Sequence, residues 1–163
     1  MDTTVAKKPA ETLQFSDEIL RKYSSTNDSI GYLCRVAFRR FARVLESHTL
    51  QYGVSSGQWR FLRVLWEEDG IMQRELSHRV DMREPTTVVA LKGLEKKGFI
   101  TRKRDDLDKR IVRVYLTDKA RDLQAVLKPF IVDVNEQAIQ GLSEEEIETV
   151  KRALIVIADN LAE

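Results

Sequence analysis

Twelve lysines and arginines fall between Met72 and Arg113 against seven acids, so this stretch carries +5 while the whole chain carries only +1 and the remainder −4. Positive charge gathered on one element, rather than spread over the chain, is the footprint of a polyanion-binding surface, DNA above all. The side chains offered there suit that partner. Arg83, Pro85, Thr86, Thr87, Val89, Lys92 and Lys96 come first. Among them, hydroxyls can bond base edges, valine or threonine methyls can touch the thymine methyl, and the cations neutralise phosphate. Arg104 and Arg110 follow, on either side of the acidic run Asp105-Asp-Leu-Asp-Lys109. A carboxylate facing phosphate would be repelled, so Asp108 is read as an orienter that holds an arginine by a charge-assisted bond.

Other chemistry has little to work with. His48 and His78 lie far apart, and neither belongs to a Cys/His cluster of ligand spacing. The single cysteine, Cys34, rules out an internal disulfide framework. There is no phosphate-cradling glycine loop and no nucleophile elbow, and Glu144-Glu-Glu146 is accounted for by a helix start. No catalytic residue, metal site or cofactor is therefore expected, and the chain is not read as an enzyme. At 42% hydrophobic and 33% charged residues the composition is that of a globular domain, and no run reaches the apolar length of a membrane span. The first ten residues lack the apolar core of a secretion signal, so a cytoplasmic location with no membrane partner is expected.

The cationic residues need elements to position them. Leu76 and Val80 share one face of a short helix, Asp81–Glu84 make a turn, and a second helix runs from about Pro85 to Lys97 with Thr87, Ala90, Leu91 and Leu94 inward. Pro85 suits the first helical position and Gly98 a helix stop. This is a helix-turn-helix pattern. Phe99–Arg104 and Arg110–Leu116 read as two strands around the acidic tip, the second alternating polar and apolar residues, with Ile71 placed for a small third strand.

Before this region, residues 1 to about 11 read as a polar tail, and Leu13, Phe15, Ile19, Leu20 and Tyr23 as a short docking segment. A long amphipathic helix follows from about Ser29 to Gln51, and a second from about Gly57 to Glu68, capped by Ser55 or Ser56. Leu62 and Leu65 face its core, with Trp59 and Trp66 alongside. After the strands, Thr117 can cap a helix reaching towards Gln140, where Pro129 should kink it or remove one hydrogen bond. Ser143-Glu-Glu-Glu146 is a capping box for a last helix with apolar Ile147, Val150, Leu154, Ile157, Ala158 and Leu161. The fold class is mainly α with a small β-hairpin wing. The expected organisation is a tail and docking segment over 1–28, a winged helix-turn-helix over 55–117, and helical dimerisation segments over 29–54 and 118–163. The terminal helices lack a second layer in one chain, and a two-fold mate would supply it.

The run Gln73-Arg-Glu-Leu-Ser, then Leu94-Glu-Lys-Lys-Gly-Phe-Ile, then Asp108-Lys-Arg110, then Val114-Tyr-Leu-Thr117 before another helix, resembles the winged helix-turn-helix of the MarR/SlyA family of bacterial regulators. The resemblance implies a homodimer, joined through its N- and C-terminal helices, that regulates transcription from a palindromic operator in double-stranded DNA. It further implies a repressor released by a small effector. Family members often take aromatic or phenolic acids in a crevice between the dimer helices and the winged domain, and Phe38, Trp59, Arg60 and Arg63 are the residues here that would line it. Some members sense organic hydroperoxides with one cysteine early in the first long helix, which makes a redox switch at Cys34 an alternative; a helical interaction module without DNA is another. The chain departs from the family at mid recognition helix, where Val88 and Val89 stand in place of a polar or basic residue.

Overall fold

The computed structural model describes residues 15–162; Leu13 and the expected tail lie outside them. The chain divides into two compact units between Arg39 and Arg40. The first holds the short helix α1 (Asp17–Lys22), capped by Ser16, then a 3-10 turn at Thr26–Asp28 and the start of α2 (Ile30–Thr49). Phe15, Ile19, Leu20 and Tyr23 are all exposed. Ser29 accepts a hydrogen bond from the Tyr32 amide and so opens α2 one residue later than expected.

The second unit contains the rest of α2, α3 (Ser56–Glu67), α4 (Gln73–Arg79), α5 (Glu84–Lys96), β1 (Ile100–Arg104), β2 (Val112–Leu116), α6 (Asp118–Ile139) and α7 (Glu144–Asn160). Helix starts follow local chemistry. Of the two candidate serines, Ser55 caps α3, its hydroxyl accepting from the Gln58 amide while the Gln58 side chain accepts from Ser55 N. Ser143 and Glu146 form the same box at α7, and the two donors on the Glu146 carboxylate, backbone first and hydroxyl second, lower its pKa. Thr117 caps α6 and also donates to the Gly98 carbonyl at 2.8 Å, tying that helix to the end of α5. Helix α6 runs through Pro129 without interruption; proline brings no N–H, so one ladder bond is absent.

The core gathers Phe61, Leu62 and Leu65 of α3, Leu76 of α4, Leu91 and Leu94 of α5, Phe99 and Ile100 at β1, Val114 and Leu116 of β2, and Ala120, Leu123 and Leu127 of α6. The two strands pair antiparallel in the register Ile100↔Leu116 to Arg104↔Val112. The expected third strand is reduced to one bridge, Met72↔Arg113, with Val114 N donating to Ile71 O. Gly70 leads into it at φ +76°, and a Cβ there would lie 2.8 Å from the Tyr115 ring. Gly70→Ala is accordingly expected to lower stability by about 1–3 kcal/mol, from backbone strain and overpacking together. Thermal unfolding would register it, and a variant as stable as the parent would overturn this account of the turn.

Candidate nucleic-acid interface

Helix α5 has two faces of different character. Thr87, Leu91 and Leu94 are buried against the core, while Pro85, Thr86, Val89, Lys92 and Lys96 are exposed. Arg83 is the N-cap residue and is exposed too, and Pro85 stands second in the helix rather than first. The turn before it is closed by Met82 N donating to Ser77 O, with Asp81 left-handed at φ 51°, a conformation aspartate tolerates better than most residues.

Thr87 needs correction as a DNA contact. It is 0% exposed, and its hydroxyl oxygen has no hydrogen-bond partner among the described residues. Three residues after the exposed Glu84 and four before Leu91, it falls on the inward stripe, so its methyl packs and its hydroxyl is stranded. Thr87→Val keeps the shape and removes the stranded group. It is expected to raise stability by about 1 kcal/mol while leaving DNA affinity unchanged. A drop in melting temperature, or lost binding, would show that the hydroxyl has a partner in use.

The cations sort into tethered and untethered groups. Lys97 donates to Gly53 O and Gln58 Oε1 at 2.7 and 2.8 Å, so it holds α5 to the start of α3. Arg102 grips Glu95 through Nε, Nη2 and its own backbone amide. The guanidinium lowers the Glu95 pKa, and the pair fastens the end of α5 to β1. Arg79 joins Glu75 and Glu68. Arg83, Lys92, Lys96 and Arg104, by contrast, form no ion pair among the described residues.

The wing tip is built by its own acids. Asp105 Oδ1 accepts from the amides of Leu107 and Asp108, and its Oδ2 accepts from Arg113 Nε at 2.6 Å. Arg113 also donates to Gly70 O, anchoring the tip to the body. The Arg113 side chain, then the two amides, lower the Asp105 pKa. Asp108 accepts from Arg110 N, Nε and Nη2 at 3.0–3.1 Å, and the Arg110 side chain is the main cause of its lowered pKa. Asp108 thus holds the guanidinium, with the exposed Arg110 as the outer member of the pair.

Between α4, the turn and the wing lies a cavity of about 760 Å³. Arg74, His78 and Arg83 line it from the helix-turn-helix, and Arg110, Ile111 and Val112 from the wing. Arg83 and Arg110, 27 positions apart in sequence, are therefore brought to one concavity. Arg74, in an exposed pair with Glu84 at 3.5 Å, and His78 join them there; neither is among the DNA contacts expected from the sequence, which weighs His78 only as a metal ligand.

The proposed effector residues are not gathered in that cavity. Trp59 is 7% exposed and meets Trp66 edge to face at 5.2 Å, while Trp66 Nε1 donates to Ala120 O. As a free aromatic wall Trp59 is thus corrected to a core residue. Arg63 is exposed and Arg60 half-buried; Phe38, exposed, belongs to the first unit, as does the half-buried Cys34. His48 stacks on Phe130 at 4.7 Å, and no metal-holding cluster occurs among the described residues.

A family model described as the MarR family matches residues 54–112. The chain is 30% identical over 138 residues to the HTH-type transcriptional regulator TtmR of Methylorubrum extorquens (strain PA1), covering 85% of this chain and 66% of that protein, just under two thirds of its length. Its fold is similar to a MarR transcriptional regulator from Methanosarcina mazei Go1, with TM-score 0.75 and 29% identity over 80% of this chain and 94% of that one. It is similar as well to a MarR family regulator from Listeria monocytogenes complexed with 26mer DNA, with TM-score 0.77 and 25% identity over 82% of this chain and 89% of the other. With the helix-turn-helix, the wing and these likenesses in agreement, residues 54–112 carry the winged helix-turn-helix of the MarR family.

Proposed function

We propose that the chain is a transcriptional regulator that binds double-stranded DNA, with α5 in the major groove and the wing on the backbone or in the minor groove. The observation that carries this reading is the convergence of Arg83 and Arg110 on one concavity, beside an exposed face bearing Lys92 and Lys96. The DNA complex of the similar Listeria regulator supports it. The working form is a homodimer. Apolar side chains stand exposed on α2, at Ile30, Leu33, Phe41 and Val44, and on α7, at Val150, Leu154, Ile155 and Val156, as expected of faces that a second copy covers. Two recognition helices then fall about one DNA turn, roughly 34 Å, apart and call for a palindromic operator. The regulator acts as a repressor released by a small aromatic or phenolic acid, with Arg63 the exposed guanidinium available to its carboxylate. The test is a mobility shift with the DNA upstream of the chain's own gene and with scrambled DNA, across a salt series. A specific, salt-sensitive shift is expected. No shift on either DNA at low salt would sink the reading and favour a helical interaction module.

A further inference from the structure

The centre of the α5 outer face has no group that can read a base by hydrogen bonding. Val89 is 71% exposed there, one turn after Pro85 and just before Lys92. From Thr87 to Leu91 the helix reads Thr-Val-Val-Ala-Leu, with Thr87 and Leu91 buried and Val88 and Ala90 half-buried. Donors and acceptors occur only towards the ends of that face, at Arg83, Glu84 and Thr86 before it and at Lys92 and Lys96 after it. Val89 also takes no part in the core, so its isopropyl group is held out to solvent by a helix whose inner face is fixed.

Along the major-groove edges of the four base pairs, the one apolar group that projects into the groove is the C5-methyl of thymine; cytosine offers only the smaller C5–H at the same position. An isopropyl group pressed against a polar edge takes water from a donor or acceptor without replacing its hydrogen bond, which is unfavourable, and the cytosine C5–H lacks the methyl that would fill the contact. We infer that Val89 makes this regulator a reader of a base C5-methyl: each half-site holds a thymine whose methyl group packs on the Val89 side chain. Specificity at the half-site centre is then set by one methyl group rather than by a bidentate polar contact. This inference rests on the DNA-binding reading above.

The experiment starts from duplexes that the protein selects from a randomised pool. The selected duplex is resynthesised with deoxyuridine in place of each thymidine in turn, which removes the C5-methyl and leaves base pairing intact. Loss of one buried methyl is expected to weaken binding about fourfold per half-site, at one thymine position in each half. Val89→Ala, on the exposed face and checked for folding by circular dichroism, is expected to bind thymine and uracil duplexes alike. Equal binding of every uracil duplex by the parent protein overturns the inference while leaving DNA binding intact. Discrimination that survives in Val89→Ala also overturns it, and passes the role to Thr86. Selection of no duplex removes the DNA-binding reading itself, and this inference with it.

Discussion

Deletion of Ile147–Glu163 is expected to leave a folded chain that sediments as a monomer and holds operator DNA about a hundredfold more weakly or worse, because the second half-site is no longer bound as part of the same complex. Two features of α7 lead to this outcome. The named core of the second unit draws no residue from it, so the winged helix keeps its packing. Of the helix's large apolar side chains, Ile147 is buried and Ile157 half-buried, while Val150, Leu154, Ile155 and Val156, and Leu161 at the C-cap, stay exposed. A 17-residue helix with that much uncovered apolar surface is the face expected to pack on a second copy in the proposed homodimer. Sedimentation velocity, circular dichroism and a mobility shift on one preparation separate the possibilities. A truncated chain that sediments as a dimer with parental affinity would place the subunit interface on other elements.

Arg110→Ala is the second large effect. Its guanidinium is the outer member of the Asp108 clasp and lines the cavity shared with Arg83. One charge-assisted contact in each subunit, at about tenfold apiece, makes a loss of about a hundredfold for a symmetric dimer. If the contact is to phosphate, the log–log salt slope should shrink by about 0.9 per site, hence by about 1.8. If the side chain instead enters a narrow minor groove, the loss should be greater on A·T-rich flanks. Asp108→Asn keeps the cation and weakens only its positioning, so a smaller loss with an unchanged slope is expected. Parental affinity and slope in Arg110→Ala, on operator and scrambled DNA alike, would remove the wing from the interface.

What could be read from the residue order was local. The α5 stripe, the stop at Gly98, the caps at Ser55, Thr117 and Ser143, and the two strands each depend on neighbours within a turn or two, and each is found close to where its signals stand. What escaped was the set of bonds between distant residues. Asp69 accepts from Leu116 N, 47 positions on, and pairs with Arg121. Lys97 reaches back 44 positions to Gly53. A lysine or an aspartate looks the same in sequence whether it meets DNA, water or a carbonyl, and the packed fold decides which. Thr87 shows the opposite hazard. Its hydroxyl suits a base edge and its place on the stripe points inward, and burial won because α5 must close the core. Trp59 went the same way, into a ring contact that helix periodicity alone does not specify. The Arg110 clasp was legible because its partner lies two residues away.

The division of α5 into two faces also bears on how such a protein changes over generations. Leu91 and Leu94 are held by packing, whereas Val89, Lys92 and Lys96 form no side-chain hydrogen bond or ion pair in the described chain. Substitutions at exposed positions of that kind usually alter stability by no more than about 0.5 kcal/mol. If the outer face reads DNA as proposed, the genomic address it carries can drift while the scaffold stays at nearly constant stability, and duplicated copies of the gene can part company in the sites they occupy long before they differ in architecture.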